Sequence, residues 1–90
     1  MAVMTKAKPA EFKLYAPSAK RVSLSGSFNN WDGKSLAAKK DTKGNWSIKV
    51  SLKPGRYEYK FLVDGAWQND PCSPRITNSF GTQNNLIEIK

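Results

Sequence analysis

The chain has 90 residues, 39% of them hydrophobic and 11% aromatic, with fifteen lysines and arginines against seven acids, no histidine and a net charge of +8. A domain of this size buries only about 60–65% of its unfolded surface, which leaves no room for a deep enclosed active site, so a surface site is expected. Without histidine the usual general base near neutral pH is missing, and the single cysteine, Cys72, excludes an internal disulfide and a Cys/His metal centre.

Residues 1–10 show no periodicity and predict a flexible tail ahead of one domain over 11–90. They contain no apolar run of about 7–15 residues, so neither a signal peptide nor a membrane span is expected, and a reducing, cytoplasmic setting is the default. Phe12 and Leu14 alternate with Lys13 and Tyr15 until Pro17 stops the strand, and Val22 and Leu24 alternate with Arg21, Ser23 and Ser25 up to Gly26. Asn29-Asn30 and Asp32-Gly33 mark a loop around Trp31, and residues 41–45 (DTKGN) form a turn. Trp46, Ile48, Val50 and Leu52 then share one face of a strand, which assigns Trp46 to the core.

After Pro54-Gly55, residues 57–70 read YEYKFLVDGAWQND. Tyr57, Tyr59, Phe61 and Val63 alternate with Glu58, Lys60 and Leu62, and Asp64-Gly65 supplies a two-residue hairpin turn back through Ala66 and Trp67. If the aromatic face packs inward, Lys60 lies on the outer face, with Trp67 near it. An indole beside an ammonium group suits a platform that stacks on a flat ring and hydrogen-bonds its polar edge. A loop over 70–74, a strand over 76–80, a turn over 81–85 and a last strand through Ile87 and Ile89 complete the chain. About seven short strands separated by turns predict an all-β, immunoglobulin-like antiparallel sandwich.

The charge does not point to nucleic acid. The lysines are dispersed with no run longer than two, as on a solvated surface, and the aromatic signature of the common RNA-binding sheets is absent. Glycoside hydrolysis needs two carboxyls flanking a bond, but Asp32, Asp41 and Asp64 fall in turns where Asx-type bonding explains them, leaving Glu58 and Asp70. No phosphate loop or nucleophile elbow occurs, so no catalytic residue, metal or cofactor is assigned. Cys72 reads as an idle loop thiol.

Four segments, GSFNNWD at 26–32, GNWSIKVSL at 44–52, YEYKFLVDGAWQNDP at 57–71 and NSFGTQNNLIEIK at 78–90, resemble family 48 carbohydrate-binding modules. That family includes the glycogen-binding domain of the AMP-activated protein kinase beta subunit and the N-terminal domains of glycogen branching and debranching enzymes. The resemblance covers residues 11–90 and implies non-catalytic binding of α-1,4-linked glucan on one face. It carries the binding roles to Trp31, Lys60, Trp67, Phe80, Thr82 and Asn84, which match the family's motifs position by position. Phe80 stands where the family usually has leucine, which leaves it open to a place in the site or in the core. Where the kinase subunit carries a regulatory serine after the tryptophan loop, this chain reads Leu36-Ala37-Ala38-Lys39, so that regulation is not carried over. The implied partners are an α-glucan and a glycogen-metabolising enzyme or kinase, with no specific nucleic acid and no membrane. The competing functions are a regulatory domain of the same fold that does not bind sugar, and a basic single-strand binder using the same aromatics.

Overall fold

The computed structural model describes residues 7–90. It contains eight strands: β1 (Lys8–Tyr15), β2 (Val22–Gly26), β3 (Lys39–Lys40), β4 (Asn45–Leu52), β5 (Gly55–Val63), β6 (Ala66–Gln68), β7 (Arg75–Thr77) and β8 (Gln83–Ile89). They form two antiparallel sheets, one in the order β1-β4-β3 and one in the order β2-β5-β8-β7, with β6 also paired to β5. The all-β sandwich expected from the alternation is the fold observed.

Alternation sets the core. Ala10, Phe12 and Leu14 of β1 and Trp46 and Leu52 of β4 face Val22 and Leu24 of β2 and Tyr59 and Phe61 of β5. Phe12 meets the Tyr59 ring edge-on at 4.8 Å, and Tyr59 meets Phe61 at 6.1 Å and 86°, arrangements that favour the ring quadrupoles. Trp46 is 7% exposed, and its indole N–H donates to the Ala16 carbonyl at 2.9 Å.

Three boundaries differ from the sequence reading. Strand β1 begins inside the segment read as tail, with Lys8, Pro9 and Ala10 opposite Leu52, Ser51 and Val50, while the part of that tail over 1–6 lies outside the described residues. Pro9 is tolerated because β1 is an edge strand. Strand β7 stops at Thr77 and β8 starts at Gln83, so the predicted strand over 76–80 is cut short and the turn moves to 78–82. There Asn78 Oδ1 accepts the backbone N–H groups of Phe80 and Thr82 at 3.0 and 3.1 Å, and Gly81 takes a φ of +83°. Finally, β3 has only two residues, too short to leave a periodic trace.

A buried polar knot fixes the connection from β6 to β7. Asn85, fully buried on β8, accepts from the Asp70 N–H at 2.6 Å and donates to the carbonyls of Asp70, Ser73 and Pro74. The Tyr59 hydroxyl donates to Asp70 Oδ2 at 2.9 Å and lies 2.8 Å from Ser73 Oγ. Burial pushes the Tyr59 phenol well above its ordinary range, so it stays a neutral donor.

Candidate functional site

The site is built on the outer face of the five-stranded sheet. With Tyr59 and Phe61 pointing inward, pleating sends Glu58, Lys60 and Leu62 outward. Asp64 and Gly65, at φ +49° and +87°, close the two-residue turn, and the register then sets Trp67 directly opposite Leu62 on that same outer face. β6 runs along the edge of β5 that β8 continues, because β2 occupies the other edge. Trp67 and Asn84 therefore stand on one side of Lys60.

The tryptophan loop supplies the facing wall. Asn29 Oδ1 accepts the Gly26 N–H at 2.9 Å, while Asn29 Nδ2 donates to the Asp32 carbonyl and to Ser35 Oγ, both at 3.1 Å. The Trp31 N–H donates back to the Gly26 carbonyl at 2.9 Å. These bonds hold Asn30 and Trp31 in the left-handed region, at φ +55° and +58°, a conformation that asparagine tolerates and tryptophan rarely takes. The loop lies flat on the sheet at Gly33, where a Cβ would stand 2.8 Å from Leu62 Cδ2, and Ser23 Oγ donates to the Gly33 carbonyl. Trp31 is thereby set 6.3 Å from Trp67, the two indoles 79° apart.

All six residues singled out in the sequence, Trp31, Lys60, Trp67, Phe80, Thr82 and Asn84, line one open cavity of about 620 Å³. Phe80 is 90% exposed at the tip of its turn, so the core alternative for it is excluded, and Trp67 is 52% exposed. Asn84 is buried, its Nδ2 donating to Glu58 Oε1 at 2.9 Å. Ser27, Glu58 and Asn78 also line the cavity and were not anticipated as site residues. Two of them left a faint signal: Glu58 is the outward neighbour of Lys60 in the alternation, and an asparagine ahead of Ser-Phe-Gly is an Asx-turn pattern.

The remaining carboxylates do other work. Asp32 and Asp41 accept backbone N–H groups two residues on, at 2.9 and 2.8 Å, and for Asp41 the Asn45 and Lys43 N–H groups hold the carboxyl below its ordinary range. Asp64 departs from the expected local bond. It reaches across to the N–H groups of Lys20 and Arg21, tying the hairpin tip to the loop before β2. Asp70 is held in the buried knot, so among the described residues Glu58 is the one carboxylate lining the cavity. Among the described residues no group of three or more metal-ligating side chains comes together.

Residues 9–90 match the family model of the glycogen recognition site of AMP-activated protein kinase. The chain belongs to this family. Among relatives of this glycogen recognition domain, the 5'-AMP-activated protein kinase subunit beta-1 of Sus scrofa is 42% identical over 84 residues, covering 93% of this chain and 66% of the relative. The Homo sapiens subunit beta-1 is 40% identical over 84 residues, 93% of this chain but 30% of that protein. Protein FLOURY ENDOSPERM 6, chloroplastic, of Oryza sativa subsp. japonica is 40% identical over 76 residues, 84% of this chain and 14% of that protein. The domain thus spans less than two thirds of the length of these relatives. Modules of this family recognise carbohydrate without catalysing its turnover.

Proposed function

We propose that the chain binds α-1,4-linked glucan, as in glycogen, starch or maltooligosaccharides, on the face formed by Trp31, Lys60, Trp67, Phe80, Thr82 and Asn84. The observation that carries this reading is the pair of indoles set nearly at right angles, 6.3 Å apart, on an open face. A glucose ring has an apolar C–H side and a rim of hydroxyls. Indole and phenyl faces cover the first, while ammonium, amide and hydroxyl groups bond the second. Consecutive α-1,4-linked rings turn relative to one another, so two stacking faces at an angle suit a curved chain better than a flat one. In this reading the domain is a binding module rather than a glycosidase: a glycosidase needs two carboxyls about 5–10 Å apart, and among the described residues Glu58 is the one carboxylate in the cavity lining.

Maltoheptaose titrated against the protein by tryptophan fluorescence is expected to bind in the micromolar to millimolar range, on the order expected for an open site that must offset lost ligand freedom. Cellohexaose, flat and β-linked, is expected to bind far more weakly. Equal binding of the two sugars would sink the proposal.

Among the described residues the cavity is lined by one cation, Lys60, and one carboxylate, Glu58, a balance that suits a neutral ligand despite the net charge of +8. Raising salt from about 50 to 200 mM should therefore leave glucan affinity nearly unchanged, whereas binding to single-stranded nucleic acid through phosphates would fall by orders of magnitude. A steep salt slope for the glucan would argue for a different ligand.

Association with a kinase or a glycogen-metabolising enzyme is part of the same proposal, and the beta-1 relatives, subunits of a kinase, favour the first. A cytoplasmic setting belongs to the same proposal, against the rice relative, which is named as chloroplastic. Cell fractionation decides between the two. The competing reading, a regulatory domain without sugar binding, predicts no maltoheptaose signal at all.

A further inference from the structure

Asn78 lines the cavity, yet its side chain has nothing left to offer a ligand. An asparagine amide has two N–H donors and an oxygen that accepts two bonds. Asn78 Oδ1 accepts from the Phe80 and Thr82 N–H groups, at 3.0 and 3.1 Å. Its Nδ2 donates to Thr82 Oγ1 at 2.7 Å and to Asn84 Oδ1 at 3.4 Å. The orientation is forced, because backbone N–H groups only donate and so must face the oxygen.

The constraint propagates. With Asn78 Nδ2 against Asn84 Oδ1, the Asn84 amide must turn its nitrogen to Glu58, a carboxylate that only accepts, and the distance of 2.9 Å fits that bond. Thr82 Oγ1, already accepting from Asn78 and lining the cavity, has no acceptor for its O–H among the described residues and can donate to a ligand there. Asn84 likewise keeps one N–H free. A single saturated amide therefore sets three things at once: the height of Phe80 on its turn, the direction of the Thr82 hydroxyl and the face of the Asn84 amide.

Resting on the glucan reading above, we infer that Asn78 is the positioning residue of the binding face, orienting Thr82 and Asn84 as donors toward sugar oxygens without touching the sugar itself. Asn78→Asp separates this role from a merely structural one. The aspartate keeps an oxygen for the Phe80 and Thr82 N–H groups, so the turn survives. Its second oxygen, in place of the amide nitrogen, draws the Thr82 O–H inward and leaves Asn84 between two carboxylates, where its amide can satisfy only one.

The experiment is a calorimetric titration of wild type, Asn78→Asp and Asn78→Ala with maltoheptaose, alongside thermal melts and 15N relaxation of residues 79–82. Asn78→Asp is expected to weaken binding about 5- to 30-fold, from the loss of one or two hydrogen bonds, with backbone order over 79–82 unchanged. Its melting temperature should stay within about 5 °C of wild type. Asn78→Ala should loosen the turn and bind no better than Asn78→Asp. Wild-type affinity in Asn78→Asp, with the sugar bound by both proteins, overturns the positioning role and leaves the glucan reading standing. A fall in turn order or a larger fall in melting temperature in Asn78→Asp assigns the residue to folding and also overturns it. Failure of the wild type itself to bind maltoheptaose overturns the glucan reading, and the positioning role falls with it.

Discussion

Trp46→Ala is expected to leave little folded protein. The side chain is 7% exposed between the two sheets, and emptying a core aromatic position costs about 3–5 kcal/mol. The change also removes the indole N–H that satisfies the Ala16 carbonyl. Small domains are stable by only about 5–15 kcal/mol in total, so the loss takes a large share of the whole. Urea denaturation followed by far-ultraviolet circular dichroism is expected to show a midpoint shifted strongly downward or no cooperative transition. A midpoint close to wild type would mean that the sheet packing described above is wrong.

Trp67→Ala should do the reverse. Its indole is 52% exposed on the outer face, contributes nothing to the inner one, and sits on a three-residue strand whose pairing is through backbone groups. Removing it should spare the melting temperature and weaken maltoheptaose binding about 5- to 150-fold, the ~1–3 kcal/mol span of a binding hot spot. Trp31→Ala should act in the same direction. If Trp67→Ala melted the domain while Trp46→Ala spared it and abolished binding, the binding face would lie on the other side of the sandwich.

The hairpin was legible because two independent signals agree there: strict alternation in Tyr57, Tyr59, Phe61 and Val63, and an Asp-Gly pair whose positive φ angles match a two-residue turn. Pleating alone places Lys60 outward and Trp46 inward, and the hairpin turn brings Trp67 back beside Lys60. Phe80 could not be placed that way. It sits in a turn governed by the Asn78 side chain, and neither alternation nor burial speaks for a residue in such a turn. Asp64 misled for a related reason. A carboxylate in a tight turn ordinarily caps its own backbone, but the partners it found, Lys20 and Arg21, are remote in sequence, and only the folded chain brings them near. Asn85 and Asp70 were invisible as a pair on the same grounds, since a buried polar contact leaves no pattern in the order of residues.

The two outermost strands in sequence have a consequence for how such a domain can be carried. Lys8 at the start of β1 lies opposite Leu52, Ile89 at the end of β8 lies opposite Gly55, and the Lys8 ammonium donates to the Lys90 carbonyl. Strand β5 runs from that end toward the Asp64-Gly65 turn, with Lys60 and the Trp67 partner Leu62 in its far half. A longer polypeptide could enter and leave through neighbouring positions at one end of the sandwich, as through the two leads of a plug. Tension or a partner applied at those leads would load β1 and β8 first, at the end of the sandwich away from the Trp31–Trp67 pair.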